Sequence, residues 1–309
     1  MALDFSSVKF LFWAKNLGVS FDRTLTLGHQ GLSILPKNLN HAARKFGIPA
    51  APEQIARCFE HSPMTAVYSD NFFQFLGAKE IVSVDRSDFE GATLLHDLNK
   101  PFPENLRAQF DFVFDGGTLE HIFDYPAALT HCLELVKVGG HFVSVTPAFG
   151  QMGHGFYQFS PELFFRVFSD ENGFTLRKII LFDAAKADAD FFEVKDPALT
   201  GLRTDLAGSR PMQLAVLAKR TAITPLFRQP PQQSDYAAAW KQHEKSQIQT
   251  RDESGLLWRW RVKLNPYWPS WLRRLRDFVK RRRQYGKPTL NNRRQFEKLK
   301  WERIFNERG

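Results

Sequence analysis

The chain has 309 residues, of which 43% are hydrophobic and 24% charged, as is typical of a folded globular protein and not of a disordered one. Lys and Arg outnumber Asp and Glu by 42 to 33, so the formal net charge is +9 and an anionic partner has to be considered. The two cysteines are too few for a disulfide framework or a structural zinc site.

The positive charge and the tryptophans are concentrated at the C-terminal end. Residues 226–309 contain 21 basic and 8 acidic residues, whereas residues 1–225 contain 21 basic and 25 acidic ones. The net charges are therefore +13 and −4, and six of the seven tryptophans lie in the basic part. Pro225, Pro230 and Pro231 indicate a linker. We expect a folded domain over residues 1–225 and a basic, Trp-rich, mainly helical extension over residues 226–309.

The N-terminal residues are not typical of a targeting or membrane-spanning segment. Asp4 and Lys9 interrupt the first apolar run, which makes it a poor secretory signal. No stretch of the chain approaches the roughly 20 apolar residues that a bilayer-spanning helix needs. We expect a cytoplasmic protein that does not span a membrane.

Strands and helices are predicted to alternate from residue 23 onwards. The predicted strands cover residues 23–29, 80–85, 93–97, 110–115, 141–146, 176–182 and 213–219. The predicted helices cover residues 39–46, 52–59, 71–77, 125–138 and 160–168, with Gly139 and Gly140 capping the fourth. We expect the last two strands to pair as an antiparallel hairpin at the sheet edge. The alternation predicts an α/β fold with a doubly wound, mostly parallel, seven-stranded sheet.

Acidic residues and glycines follow successive predicted strands. In an open α/β sheet, ligands bind at the carboxyl ends of the strands. There Asp85 could accept hydrogen bonds from both hydroxyls of a ribose, and Asp97 could accept one from an adenine amino group. Gly116 and Gly117 would let the backbone approach the same ligand closely. The alternative is that each aspartate caps a helix or forms a turn.

Residues 81–182 resemble the class I S-adenosylmethionine-dependent methyltransferases. The motifs that carry the resemblance are VSVDRSD, LLHDLNKPFP, FDFVFDGGTLEHIFD and KVGGHFVSVTP. It implies a Rossmann-like fold and S-adenosyl-L-methionine as cofactor, with Asp85 at the ribose and Asp97 with Leu98 at the adenine. The Leu-Glu-His sequence at 119–121 recurs in many members, and residues 153–168 look like the portion before a late helix that closes over the acceptor.

The loop after the first strand departs from the family pattern. Members carry an acidic residue followed by a GxGxG-like loop, whereas this chain has Thr-Leu-Gly-His-Gln-Gly at 26–31. About fifty residues then precede the next strand, roughly twice what one crossover helix needs. Gly28 and Gly31 could still admit the methionine part of the cofactor, with His29 or Gln30 supplying polar contacts.

Methyl transfer to a hydroxyl needs a base for the acceptor proton. His154 is the preferred base because an imidazole titrates near neutral pH and the adjacent glycines permit close approach. Tyr157 lies nearby in the sequence. Glu120 and His121 are secondary catalytic candidates, with a structural role at the helix start as their alternative. The alternative is that His154 has a structural role and hydrogen-bonds to the backbone in a tight loop. No HExxH, CxxC or similar metal-binding spacing is present, so no metal is expected.

The basic extension contains a predicted amphipathic helix at 267–283. Its Trp, Leu, Phe and Val residues follow i, i+3, i+4 spacing, and Arg and Lys occupy much of the rest. This composition is typical of a helix that lies on an anionic membrane surface, and we expect residues 264–285 to bind one at its inner face. Residues 256–262 could be a strand or a second interfacial segment. Binding to nucleic acid is the less favoured reading, and docking on the protein itself is the other alternative.

The predicted function is methyl transfer from S-adenosylmethionine to a small-molecule, sugar, glycan or lipid-linked acceptor, most simply at an oxygen. One alternative is an RNA methyltransferase that uses the basic extension. The chain lacks the Asn/Asp-Pro-Pro-Tyr and Cys-Pro motifs of amine and carbon methylation, which disfavours that alternative. A non-catalytic scaffold with the same fold is the second alternative, favoured by the unusual loop at 26–31.

Overall fold

The computed structural model describes residues 2–60, 67–249 and 269–307. The strands are β1 Ala2–Leu3, β2 Arg23–Leu27, β3 Gly31–Leu32, β4 Glu80–Asp85, β5 Leu94–Leu95, β6 Phe110–Asp115, β7 Val136–Phe149, β8 Phe174–Asp183, β9 Phe192–Val194, β10 Met212–Arg220 and β11 Phe296–Lys298. The helices are α1 Phe5–Asn16, α2 Pro36–Lys45, α3 Pro52–Arg57, α4 Asp70–Phe75, α5 Tyr125–Leu135, α6 Pro161–Val167, α7 Pro197–Thr200, α8 Ser234–Gln249, α9 Ser270–Tyr285 and α10 Trp301–Asn306.

Nine of the described strands form one mixed sheet, in the order β11-β9-β8-β10-β7-β6-β2-β4-β5. From β7 to β5 the neighbours pair in parallel, and from β7 to β11 they pair antiparallel. The expected seven-stranded, mostly parallel sheet is therefore wrong. The predicted pairing of β8 with β10 is confirmed, but it does not lie at the edge. β9 and β11 extend the sheet beyond β8, because a short antiparallel strand can be added without a crossover helix.

Local sequence pattern places β4 and β6 at their predicted bounds. The predicted helix at 125–138 is wrong at its C-terminal end, since α5 stops at Leu135 and β7 starts at Val136. Gly139 and Gly140 lie within β7 and do not cap the helix. A Cβ on Gly140 would lie 2.8 Å from the carbonyl oxygen of Phe110 in β6, so this glycine permits close strand approach.

Helices cover both faces of the sheet. Phe112 and Phe114 of β6 point into a core shared with α1, α2 and α4, whereas Val113 points into a second core shared with α5 and α6. This alternation follows from the two-residue period of a strand. Helix α1 is buried on all sides, which explains why its apolar run shows no amphipathic pattern.

The described end of the basic extension is part of the same sheet and core. Strand β11 pairs with β9, and Ile304 of α10 is fully buried. The Phe305 ring packs edge-on against Phe46, with ring centroids 4.8 Å apart. The domain boundary at residue 225 stays a prediction, but residues beyond it contribute a strand to the sheet and side chains to the core.

Helix α9 is the described part of the predicted amphipathic helix. Residues 256–262 and 264–268 lie outside the described residues. Arg281 of α9 makes two hydrogen bonds to the Asp205 carboxylate, at 2.8 and 3.2 Å. Within the described ranges, no helix combines the length and the apolar composition needed to cross a membrane.

Candidate functional site

The carboxyl ends of β2, β4, β5 and β6 meet at one edge of the sheet, here called the carboxyl edge. Asp85 is the last residue of β4, and its Oδ1 accepts hydrogen bonds from the backbone N–H groups of Arg86 at 2.6 Å and Ser87 at 3.3 Å. No other described residue donates to this carboxylate. One Asp85 oxygen therefore shapes the turn, and the other remains available at the edge.

Asp97 lies two residues beyond the short strand β5. Its Oδ1 accepts hydrogen bonds from the backbone and side-chain amides of Asn99 at 3.1 and 2.8 Å, and Arg86 lies 3.4 Å from Oδ2. The hydrogen bonds from Asn99, with a smaller contribution from Arg86, lower the pKa of Asp97. The neighbouring Leu98 is buried, and its carbonyl accepts a hydrogen bond from Nδ1 of His131 at 3.1 Å. Asp97 is therefore held as a carboxylate at the edge.

The backbone connects the two carboxylates. The N–H of His96 donates to the carbonyl of Asp85 at 2.8 Å, which places the segment before Asp97 beside the end of β4. The His96 ring stacks on Phe102 with centroids 4.2 Å apart, so it packs rather than facing a ligand. The structure thus brings together Asp85 and Asp97, the pair that the sequence singled out for a nucleoside.

The atypical loop after β2 takes its own path. Gly28 has a φ of +76°, and its N–H donates to the carbonyl of Val84 at 2.7 Å. Gly31 begins β3, which pairs with the N-terminal strand β1. The connection from β2 to β4 contains β3, α2, α3 and α4 among its described residues, and this accounts for its length.

His29 clamps this loop to two others. Its Nε2 lies 2.7 Å from Oδ2 of Asp70, its Nδ1 lies 2.6 Å from the carbonyl of Glu90, and its ring stacks on Tyr68 at 3.8 Å. Burial opposes protonation, but the hydrogen bonds to Asp70 and Glu90 outweigh it, so the pKa of His29 is raised. Both ring nitrogens are engaged, so His29 ties the loop to its neighbours.

The side-chain amide of Gln30 lies next to the backbone of Gly116. Its buried amide nitrogen donates to the carbonyl of Leu27, and it lies 3.3 Å from the Thr118 hydroxyl. Its Oε1 has no hydrogen-bond donor among the described residues. A Cβ on Gly116 would lie 2.6 Å from that oxygen, so a larger residue there would have to displace the Gln30 side chain. An unpaired acceptor therefore lies buried beneath the backbone that follows β6.

Asp115 holds the turn that contains Gly116 and Gly117. Its Oδ1 accepts hydrogen bonds from the backbone N–H groups of Thr118 at 2.8 Å and Leu119 at 3.2 Å, and its Oδ2 accepts one from the Ser144 hydroxyl at 2.7 Å. Burial raises the pKa of Asp115. With its oxygens occupied, Asp115 supports the turn, which leaves Gly116 and Gly117 at the edge.

Glu120 and His154 meet next to this turn. The Glu120 side chain is 1% exposed; its Oε2 accepts a hydrogen bond from the Thr146 hydroxyl at 3.3 Å, and its Oε1 lies 3.4 Å from Nε2 of His154. Burial, together with the nearby Asp115 carboxyl, raises the pKa of Glu120 to about 8. The structure thus joins two predicted catalytic residues that lie on separate loops.

The loop that carries His154 docks on the Glu120 backbone. The N–H of Phe156 donates to the carbonyl of Glu120 at 2.8 Å. Gly155 has a φ of +68°, and a Cβ there would lie 2.9 Å from the same carbonyl oxygen. Tyr157, the third predicted catalytic residue, donates its hydroxyl to the carbonyl of Phe123 at 2.6 Å. A catalytic role for Tyr157 stays a prediction, and its contact here orients the loop.

A cavity of about 210 Å³ adjoins these residues. Gly116, Gly117, Glu120 and His154 form one side, and Asp4 and Ser7 belong to the other. The N-terminal residues were not among the predicted site residues, because nothing local in their pattern indicates a contact with residues more than a hundred positions away. The cavity lies beside the glycine turn, where a small acceptor could reach a ligand at the carboxyl edge.

A larger cavity, of about 580 Å³, lies further along the same edge. Phe149 at the end of β7, Asp183 at the end of β8 and Met212 at the start of β10 contribute to its wall. The adjacent residues Ala184 and Gln213 line the smaller cavity, so the two cavities are neighbours.

No protein-family model and no curated protein matches this chain. Among solved structures, it is similar to an S-adenosylmethionine-dependent methyltransferase from Mesorhizobium loti, with 15% identity over 65% of this chain and 92% of that one and a TM-score of 0.36. It is also similar to the 1,6-didemethyltoxoflavin-N1-methyltransferase of Burkholderia thailandensis, which contains S-adenosylhomocysteine, with 12% identity over 71% and 78% and a TM-score of 0.36.

A third similar structure is the branched-chain polyamine synthase of Thermus thermophilus, with 14% identity over 74% of this chain and 61% of that one and a TM-score of 0.34. At these identities and TM-scores, the likenesses carry no argument about activity. The case for a function therefore rests on the residues of the carboxyl edge.

Proposed function

We propose that this protein is an S-adenosylmethionine-dependent methyltransferase. The observation that carries the proposal is the order of groups along the carboxyl edge. Asp85 and Asp97 lie beside each other at β4 and β5, and the glycine turn and the Glu120–His154 pair follow β6. A nucleoside-binding pair and a cavity with acid–base groups thus share one edge, as a transfer reaction requires.

The residues present fit the polar groups of the cofactor. Asp85 has a carboxylate oxygen available to accept from the ribose hydroxyls, and Asp97 with Leu98 would meet the adenine. The buried Oε1 of Gln30 has no donor among the described residues, and it would have to turn out from beneath Gly116 to accept from the ammonium group of the methionine part. The methionine part would find room beside Gly28, Gly31, Gly116 and Gly117. A larger residue would be strained at 28 or 117, where φ is positive, and at 116 it would press on the Gln30 side chain.

When bound, S-adenosylmethionine supplies an electrophilic methyl group on a positively charged sulfur. The chain's own residues have to hold the acceptor and manage its proton. The Glu120–His154 pair faces the smaller cavity, next to the glycine turn. The imidazole can accept the proton of a hydroxyl directly, or the pair can act on the hydroxyl through a bound cation, which the next subsection considers.

The two neighbouring cavities support the proposed acceptor class. The smaller one suits the reacting end of an acceptor, and the larger one suits the remainder, as in a sugar, a glycan or a lipid-linked precursor. Its wall carries Lys186, Asp190 and Arg210, which can hydrogen-bond to a polyhydroxylated molecule. Methylation of an oxygen is the simplest reaction for such an acceptor.

The decisive experiment is calorimetric titration of the full chain with S-adenosylhomocysteine. The wild type should bind, and Asp85→Ala should bind at least about tenfold more weakly, since a charge-assisted hydrogen bond contributes about 1.5–3 kcal/mol. Asp88→Ala is the matched control, because Asp88 is an exposed aspartate on the same loop. Absence of binding by the wild type would favour the non-catalytic scaffold. An equal loss of affinity in both variants would show that Asp85 does not hold the ribose.

A second proposal concerns α9, which would hold the enzyme on an anionic membrane surface. Trp271 and Phe278 of α9 are 63% and 56% exposed, and Leu275 and Val279 beside them are exposed as well. These residues follow i, i+4, i+7, i+8 spacing, so they form one apolar stripe. Arg273, Arg274, Arg276, Arg281 and Arg282 flank it. An apolar stripe flanked by arginines matches an anionic leaflet in both polarity and charge.

Flotation with lipid vesicles tests this second proposal. The full chain should float with phosphatidylserine vesicles and not with neutral ones, and the double variant Trp271→Ala, Phe278→Ala should lose most of the binding. Ile223→Ala, another exposed apolar residue, is the control. Truncation at residue 226 is unsuitable, since it would remove β11 and the buried Ile304. Binding to RNA but not to vesicles would overturn the proposal in favour of the nucleic-acid alternative.

A further inference from the structure

Three side chains with metal-ligating atoms converge at the smaller cavity. One oxygen of Glu120 and one ring nitrogen each of His121 and His154 all lie within 4.8 Å of one another. His154 is 33 positions beyond His121, and the loop that docks on the Glu120 carbonyl brings it there. The rings of His121 and His154 meet edge to face, with centroids 5.1 Å apart.

Glu120 provides a second, independent observation. Its side chain is almost completely buried, yet its Oε1 has no hydrogen-bond donor among the described residues. This oxygen belongs to a residue of the cavity wall and points toward Nε2 of His154 at 3.4 Å. A buried carboxylate oxygen without a donor is costly unless a ligand or an ion completes its coordination.

We propose that Glu120, His121 and His154 bind a divalent first-row transition-metal ion at the wall of the cavity. Two imidazoles and one carboxylate suit such ions, whereas Mg²⁺ and Ca²⁺ prefer oxygen ligands. Two ligands about 2.1 Å from one ion in tetrahedral geometry lie about 3.4 Å apart, so the most distant pair of ligand atoms has to close by up to about 1.4 Å. The exposed His121 and the 41% exposed His154 can supply that movement.

Three protein ligands leave coordination positions open toward the cavity. An acceptor hydroxyl that binds there becomes more acidic and loses its proton to solvent, and its oxygen is held beside the glycine turn. His154 is then a metal ligand and not the proton acceptor. This role in catalysis rests on the proposed function, whereas the metal site itself does not.

Cobalt binding tests the metal site without any methyl transfer. The full chain, prepared without a histidine tag and stripped with EDTA, is titrated with Co²⁺ and followed by visible d–d absorption. One Co²⁺ per chain should bind, and His121→Gln, His154→Gln and Glu120→Gln should each bind at least about tenfold more weakly. His41→Gln, an exposed histidine on α2, should bind as the wild type does.

His121 keeps the test independent of folding, because its side chain is exposed and its replacement removes no described hydrogen bond. Absence of saturable Co²⁺ binding, or binding that His121→Gln and His154→Gln leave unchanged, would overturn the metal site. Co²⁺ binding by a chain that does not bind S-adenosylhomocysteine would leave the metal site standing and refute the methyltransferase. The two proposals can therefore fail separately.

Discussion

Glu120 and Arg220 are two buried ionisable residues at opposite edges of the same sheet, and they differ in how their polar atoms are satisfied. Arg220 ends β10 at the edge opposite the cavities and is 3% exposed. Its guanidinium donates to the carbonyls of Leu133, Glu134 and Val136 at 3.2, 3.1 and 2.6 Å. Glu120 is equally buried and lines the smaller cavity, but it accepts one hydrogen bond, from Thr146, and its other oxygen has no donor among the described residues.

This difference indicates a structural role for Arg220 and a functional one for Glu120. Arg220 supplies donors to the last carbonyls of α5, which a helix end cannot satisfy by itself. The free-energy cost of burying the Glu120 carboxyl is not offset by its single hydrogen bond. Buried ionisable groups with unsatisfied polar atoms cluster at functional sites. The two side chains are therefore equally buried, and the number of hydrogen bonds that their polar atoms make distinguishes the two roles.

Arg220→Met should produce the largest loss of stability. The variant keeps the apolar volume but leaves the carbonyls at the end of α5 without their donor, so unfolding should become easier by about 3 kcal/mol or more. Urea denaturation followed by circular dichroism measures this. Arg210→Met is the control, because Arg210 is 68% exposed and makes a single surface ion pair with Asp183, worth at most about 1 kcal/mol. Equal losses in the two variants would contradict the structural role of Arg220.

His141 should make stability depend on pH at the same edge as Arg220. Burial, with repulsion from Lys219 and Arg177, lowers the pKa of His141 to about 4. Below pH 6.5 the unfolded chain binds a proton that the folded chain rejects, so stability falls until the pH reaches about 4. The whole change is about 3 kcal/mol, at about 1.4 kcal/mol per pKa unit.

The measurement is the free energy of unfolding at pH 7 and at pH 4.5. His141→Gln should reduce the difference between the two values relative to wild type, since glutamine does not titrate. His41→Gln, whose histidine is exposed, should leave the difference unchanged. A wild-type slope that His141→Gln retains would show that other groups cause the acid sensitivity.

Glu120→Gln should have the smallest effect on stability and a large one on function. Glutamine keeps an acceptor for Thr146, and the oxygen that it replaces has no described donor, so the free energy of unfolding should change by less than about 1 kcal/mol. Metal binding and methyl transfer should both decrease. A loss of stability comparable to that of Arg220→Met would show that Glu120 is structural, and the comparison between the edges would fail.

Sequence pattern predicted β4 and β6 at their bounds and placed Asp85 and Asp97 at one edge. These predictions succeeded because the two-residue period and the strand-ending aspartates are local signals. The prediction failed at residues 136–140, where glycines that looked like a helix cap lie inside β7. Gly140 permits the close approach of β7 to the carbonyl of Phe110, and Gly139 has a φ of +87°; no local pattern reports either requirement.

The sequence by itself determined the charge division at residue 226, the α/β class and the order of carboxylates along the parallel strands. These properties follow from composition and periodicity, which record the face that each segment buries. The tertiary structure alone decided that α1 lies in the core, that β11 joins the sheet, and that His154 meets Glu120. Each of these depends on a contact between segments far apart in the chain, and periodicity does not specify the partner that a buried face will meet.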